Sequence, residues 1–350
     1  MGLAEVAGCM GDDGAVVVAP MSAMSTSESH HYHVFELPWA SEGLLIPELP
    51  KAELEASEAT ASASITIQEE DPERWPELPP GLHDTPFLQM ARGDLRLTVD
   101  DIGGFRIHNG EQIAWQRAHD SVSDQDLRTF LLGSAVGALL IQRGVLVLHG
   151  NALERDGQAI VCLGHSGSGK STLAYALMQQ GWRLLADDLV AITPDGQVLP
   201  GIPRIKLWHD AAKAFGLDPD ALPPIRQGMH KYLLLGEAIE RSGQPCPLRA
   251  LYLIRPQRQD SKDSGSNRIA RITSQKQVAL CLRNQAFRPR FVRGLGQEGA
   301  NFIALARLQQ AVPLATLLTP CGITAMQTWL QEQSLLSAAA EAQTAEEQAA

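Results

Sequence analysis

Residues Gly164-His165-Ser166-Gly167-Ser168-Gly169-Lys170-Ser171 match G-x-x-x-x-G-K-[ST] in full. That spacing suits the holding of a polyphosphate. Glycines let backbone N–H groups turn inward around phosphate oxygens, Lys170 can reach the outer phosphates, and the Ser171 hydroxyl can ligate Mg²⁺. Thr172 follows directly. Downstream, Asp187-Asp188 supplies two adjacent carboxylates. One can hold Mg²⁺, and the other can accept a proton from an attacking hydroxyl. The combined chemistry is phosphoryl transfer from a nucleoside triphosphate, with ATP and Mg²⁺ as the expected cofactors. A solvated turn or a helix cap is the plainer reading of the Asp pair. His149 is expected on the same rim, where it would contact a phosphate, orient Asp187, or simply be a satisfied core histidine. Arg204 and Lys206 alternate, so an extended segment would point both the same way. Two cations so placed could steady a transferring phosphoryl group, although an ordinary surface pair would look the same. Lys231, after His230, is a weaker candidate of that kind.

These residues need elements to position them. The apolar run Ala159–Leu163 reads as a buried strand, and Thr172–Met178 holds good helix formers without Gly or Pro. A strand, a glycine-rich turn and a helix start form the setting a phosphate-binding loop requires, because the helix N-terminus adds partial positive charge. Val145–Gly150 reads as the preceding strand, ending at His149. Trp182–Ala186 reads as another, ending at Asp187-Asp188, where parallel α/β folds gather chemistry at the carboxyl ends of strands. Ser123-Asp124-Gln125-Asp126 resembles a capping box opening a helix that Gly144 stops. Leu207–Leu217 and Gln275–Arg283 look helical, with a strand at Leu251–Ile254 between them.

Further toward the N-terminus the pattern changes. Ile65–Ile67 reads as a short strand, and Leu95–Val99, Phe105–His108 and Ile113–Trp115 alternate or run apolar, with Asn109-Gly110 as a hairpin turn. The expected organisation is a disordered tail over 1–30, a small β-rich domain over 31–118, a catalytic domain over 119–330 and a disordered Ala/Glu/Gln tail over 331–350. The net charge of −11 over 350 residues argues against a non-specific nucleic-acid binder, which needs a basic face. Five scattered cysteines with no C-x-x-C pair read as reduced thiols. No segment has the apolar length to cross a membrane, and the first residues do not read as a signal peptide. A cytoplasmic protein is expected, and a homo-oligomer is left open.

Residues 130–255, with "LHG…GHSGSGKSTLAYALMQQGWRLLADDLVAI", resemble the catalytic core of the HPr kinase/phosphorylase family. The resemblance implies an α/β fold with a P-loop kinase core of the HPr kinase/phosphoenolpyruvate carboxykinase type, preceded here by the β-rich N-terminal domain. By position it implies the phosphate and Mg²⁺ contacts at Lys170 and Ser171, a metal-associated carboxylate at Asp188, the catalytic acid/base at Asp187 and the family's upstream histidine at His149, within a cofactor-binding segment read from the motif as Gly164 to Thr172. His165 and Thr172 stand where family members acting on the phosphocarrier protein usually carry acidic residues. "YHVFELPWASEGLLIPEL" and "PRIKLW" look more like the divergent HPr-kinase-related branch, some of which phosphorylate serine in peptide precursors. The expected activity is therefore transfer of the γ-phosphoryl group of ATP to a hydroxyl, with a serine-bearing peptide or protein as partner. The rival is a nucleotide-responsive binding protein, which would need the loop and not Asp187.

Overall fold

The computed structural model describes residues 28–52, 64–78, 83–85, 87–226, 228–236, 239–257 and 268–341. The expected N-terminal tail up to residue 27 and the last nine residues lie outside that set. The chain is a mixed α/β protein, and the strands among the described residues fall into three sheets.

The first sheet holds β1 (Ser29–Val34), β2 (Leu37–Glu42), β3 (Ile65–Glu69), β4 (His83–Thr85), β5 (Leu88–Ala91), β6 (Asp94–Val99), β7 (Gly103–His108) and β8 (Gln112–Arg117), in the spatial order β1-β2-β3-β8-β7-β6-β5-β4. Asn109 and Gly110 both have positive φ, which is what a tight turn between β7 and β8 demands. The Ser123 hydroxyl accepts the Asp126 N–H and opens α1 (Asp124–Phe130). A π-helical turn at Leu131–Ala135 then leads into α2 (Val136–Gln142), and Gly144, at φ +74°, follows its end.

The second sheet carries the candidate chemistry. Its strands are β9 (Leu146–Arg155), β10 (Gln158–Leu163), β11 (Arg183–Ile192), β12 (Gln197–Val198), β15 (Cys246–Pro256), β16 (Ile269–Arg271) and β17 (Leu314–Thr319). β9 is antiparallel to both β10 and β11, whereas β10–β15 and β15–β17 are parallel. β10 also pairs with β15, so five of the strands close on themselves through β9, β11 and β12. Between β10 and β11 lies α3 (Lys170–Met178). A separate ribbon of β13 (Arg204–Trp208) and β14 (Lys231–Leu235) flanks α4 (His209–Ala214). The remaining helices are α5 (Gln275–Gln285), α6 (Pro289–Gly294), α7 (Glu298–Ala311), α8 (Ile323–Gln331) and α9 (Leu335–Glu341).

Four sequence expectations need correction. β11 does not end at Asp187-Asp188 but runs through them to Ile192, and β9 runs through His149 to Arg155. The antiparallel pairing of these strands satisfies the backbone on both sides, so the carboxylates sit mid-strand rather than at a parallel sheet's carboxyl rim. Leu207 and Trp208 belong to β13, because their backbone pairs with Tyr232 and Lys231; the helix begins only at His209. Within the stretch expected as a C-terminal tail, α9 is helical. Leu335 is buried there, and its carbonyl accepts the Tyr252 hydroxyl at 2.5 Å.

Three apolar clusters are built from the described residues. One joins the first sheet to α1, α2 and α6 and reaches into the second sheet at Val147, Leu189 and Ala191. Another packs α3, α8 and the inner face of the ribbon against Leu153, Ile160 and Tyr252. The third lies on the opposite face of the second sheet, beneath α5 and α7. Among the described residues no helix is long and apolar enough to cross a membrane.

Candidate functional site

The glycine-rich segment leaves β10 at Leu163 and enters α3 at Lys170. Gly164, Gly167 and Gly169 lie at φ +151°, +82° and +86°, a region open mainly to glycine. A Cβ on Gly164 would stand 2.6 Å from Ser168 Oγ, so the turn also needs the missing side chain. His165, Ser166 and Gly167 are exposed, and Gly169 caps α3 without any side-chain hydrogen bond. The loop thus offers bare backbone at a helix start, where anions are favoured. Ser171 and Thr172 lie half-buried in the first turn. Lys170 is 8 % exposed and curls over the loop, its Nζ donating to the Gly164 and His165 carbonyls at 2.8 and 3.0 Å. An ammonium has three donors, which leaves one for a ligand.

Strand periodicity explains what faces the loop. In β9, Leu146, Leu148 and Ala152 point into the cluster under α5, while Val147 and Leu153 point to the other face. His149 and Asn151 share that second face by alternation. Asp187 pairs in register with Asn151, whose Nδ2 donates to Asp187 Oδ1. Asp188 pairs with Gly150. In an ordinary strand it would follow Ala186 and Val190 to the α5 side. It instead lies at φ +67°, and its carboxylate binds the Lys206 ammonium on β13. The left-handed backbone of a single aspartate thus brings both carboxylates within reach of the same cations.

The electrostatics divide the pair. Burial, and then the neighbouring Asp188 charge, push Asp187 up to about 7. Burial would raise Asp188 too, but the Lys206 charge and hydrogen bond, with the Arg204 charge, outweigh it and hold that carboxyl below its ordinary value. Two like charges this close separate in this way. Burial, then the Lys170 charge, lowers His149, which favours the neutral imidazole at pH 7. Burial is also the largest cause lowering Lys170, Arg204 and Lys206. Lys231 is near enough to act on both Asp187 and Lys170.

The sequence candidates Lys170, Asp187, Asp188, His149, Arg204, Lys206 and Lys231 therefore share one electrostatic neighbourhood. His149 has no hydrogen bond to Asp187 among the described residues; Asn151 fills that place. Asn151 lies two residues after His149, so strand alternation was the signal that could have singled it out. Gln285, 5 % exposed at the end of α5, accepts the Gly164 N–H at 3.1 Å. Nothing in the sequence ties it to a loop so distant along the chain.

Orphaned polar atoms test what the site would take. Asp187 Oδ2, Ser168 Oγ and Arg204 Nε are buried and lack a hydrogen-bond partner, a costly condition unless a ligand supplies one. Four cations, Lys170, Arg204, Lys206 and Lys231, face two carboxylates, a balance that suits a polyanion. Among the described residues no group of three or more His, Cys, Asp and Glu could hold a metal ion unaided. Mg²⁺ typically takes one or two protein oxygens together with substrate phosphates, and the oxygens present here for such a role are those of Ser171 and Asp188.

No family model matches the chain, and no curated protein matches it. Among solved structures it is similar to the Hpr(Ser) kinase/phosphatase from Coxiella burnetii, at 14 % identity over 53 % of this chain and 94 % of that one. The TM-score is 0.22, a likeness too slight to bear on the fold.

Proposed function

We propose that this protein is an Mg²⁺- and ATP-dependent kinase of the HPr-kinase-like type, transferring the γ-phosphoryl group to the serine hydroxyl of a peptide or protein. The observation that carries this reading is Asp187. It is buried, it has one free carboxylate oxygen, and it is poised to titrate near neutrality within reach of Lys170 and the glycine-rich loop. A general base works best with a pKa near the operating pH.

The backbone from Gly164 to Gly169 and the side chain of Lys170 bind the phosphates. Ser171 and Asp188 are the residues proposed to hold Mg²⁺, which when bound neutralises charge on the phosphate oxygens. Asn151 fixes Asp187 through Oδ1 and leaves Oδ2 to take the acceptor's proton. As that proton leaves, the acceptor oxygen bonds to phosphorus, and the bond to the departing diphosphate oxygen breaks. Arg204 and Lys206 face the charge that spreads over the transferring group. The acceptor is proposed to differ from the phosphocarrier protein, because His165 and Thr172 replace the acidic residues expected for that substrate.

Asp187→Asn tests the mechanism. It keeps the shape and the Asn151 contact but removes the base. Mg-ATP binding, measured by calorimetry, should stay within a few-fold of the parent. Phosphate transfer to a serine peptide should fall by roughly 10²–10⁴. Transfer at the parent rate would end the reading and favour a nucleotide-responsive binding protein.

A further inference from the structure

The β13–β14 ribbon carries more than the two cations used above. Ile205 and Leu207 are buried in the core with Leu234 and Tyr252, so Arg204, Lys206 and Trp208 share the other face. The row rises out of the protein: Arg204 is 3 % exposed, the Lys206 side chain 12 % and Trp208 54 %. Trp208 is where the cationic row meets solvent. Its register partner is Lys231, whose Nζ lies 5.4 Å from the centroid of the indole ring. That same ammonium acts electrostatically on Asp187 and Lys170, so the exposed indole and the phosphate-facing cluster are neighbours.

Trp208 opens onto a cleft of about 480 Å³, lined by His209, Asp210 and His230. The His209 N–H donates to the His230 carbonyl at 3.0 Å and fixes the two sides of the cleft. The His209 and His230 rings lie 6.4 Å apart, and His209 Nδ1 is 3.3 Å from Asp210 Oδ1. The cleft thus combines one broad aromatic surface with an edge of imidazoles and a carboxylate. Leaving an indole exposed forgoes a large burial gain, and an indole suits a surface where one side is apolar and the other wet.

We propose that Trp208 and Lys231 form a shelf for the nucleobase of the phosphoryl donor, with His209, Asp210 and His230 along its edge. This rests on the proposed phosphate site. A base has a flat π-face to stack and ring nitrogens and exocyclic groups that imidazole and carboxylate can meet; a phenyl side chain of an acceptor peptide would leave that polar edge unused. Strand rise puts Trp208 about 7 Å beyond Lys206. A ligand reaching both must be extended, as a nucleotide is.

The experiment compares binding of Mg-ATP with binding of Mg-tripolyphosphate, which lacks a base, by calorimetry on the full chain and on Trp208→Ala and Trp208→Phe. Base–aromatic stacking predicts that Trp208→Ala weakens ATP roughly 5- to 100-fold. Tripolyphosphate affinity should not change, and Trp208→Phe should recover most of the loss. Equal ATP affinity in the parent and Trp208→Ala, with tripolyphosphate still bound, overturns the shelf and leaves the phosphate site standing. The same result with lost transfer to a serine peptide reassigns the cleft to the acceptor. If the parent binds neither ligand, the phosphate site itself fails, and the shelf falls with it.

Discussion

Asp187 and Asp188 are chemically identical and adjacent, yet their surroundings drive them apart. Burial and the neighbouring negative charge raise Asp187 to about 7, while Lys206 and Arg204 hold Asp188 down. If Asp187 must be ionised to accept a proton, the transfer rate should rise with pH through about 7 and level off above it. A profile flat from pH 5.5 to 8.5 in single-turnover assays would contradict that role. The same shift bears on stability. Between the ordinary carboxylate pKa and about 7, the folded state binds more protons at Asp187 than the unfolded state. Stability from this group is therefore lost as pH rises through that window. Asp188 has the opposite sign: its contribution is present above the unfolded pKa and is lost as pH falls below it. Asp187→Asn removes the first penalty. It should be more stable than the parent at pH 8, by roughly a few kcal/mol at most, and near parity at pH 4, as measured by urea unfolding.

Strands β9 and β11 aim the candidate residues, and their close pairing depends on Gly150. A Cβ there would stand 2.6 Å from the Cys162 carbonyl oxygen on β10 and 3.1 Å from Leu163 Cδ2. Gly150 also pairs with Asp188, so the glycine keeps β10 and its loop close to the carboxylates. Gly150→Ala should push the strands apart. The expected cost is about 1–3 kcal/mol, typical of overpacking, together with weakened Mg-ATP binding. Denaturant unfolding beside calorimetry checks both, and an unchanged midpoint with unchanged affinity would mean that the strand yields freely. The ribbon acts differently. It alternates apolar and cationic residues, so one face anchors it in the core while the other delivers Arg204 and Lys206 to the carboxylates.

At the scale of the molecule, the first sheet and the sheet that carries the glycine-rich segment share a core. The cluster containing Tyr32, Trp39 and Ile107 also contains Val147, Leu189, Ile202 and Phe287. Glu48, 4 % exposed, pairs with Arg128 at 3.0 Å and is among the charges acting on buried Arg204. Residues before 50 therefore belong to the environment of the site. Tyr32, Val34, Phe35, Trp39, Leu44, Ile46 and Leu49 are all buried, and a side chain of this kind contributes roughly 1.5–3 kcal/mol on burial. The net stability of an ordinary domain is only about 5–15 kcal/mol, so losing these contacts together leaves little margin. A chain starting at Lys51 should thus fail to fold cooperatively. A sharp melting transition together with parent-like Mg-ATP affinity would show that the rest stands alone.

The local sequence determined the loop and its setting. Apolar run, glycine spacing and helix formers are properties of neighbouring residues, and β10, the turn and α3 follow from them. The Ser123 cap, the Asn109-Gly110 hairpin and the alternation of Arg204 with Lys206 were legible for the same reason. The tertiary structure decided the rest. Where β9 and β11 end depends on partners on either side, so strands that looked finished at His149 and Asp187 run on. Asn151 and Gln285 matter only because folding sets them against Asp187 and Gly164. The left-handed turn at Asp188 is stabilised by Lys206 from another strand, a contact no local pattern encodes. Residue types and short spacings suggest which chemistry is available, but burial and the direction of each side chain come from contacts far apart in the chain, and those determine which carboxylate is pushed up and which is held down.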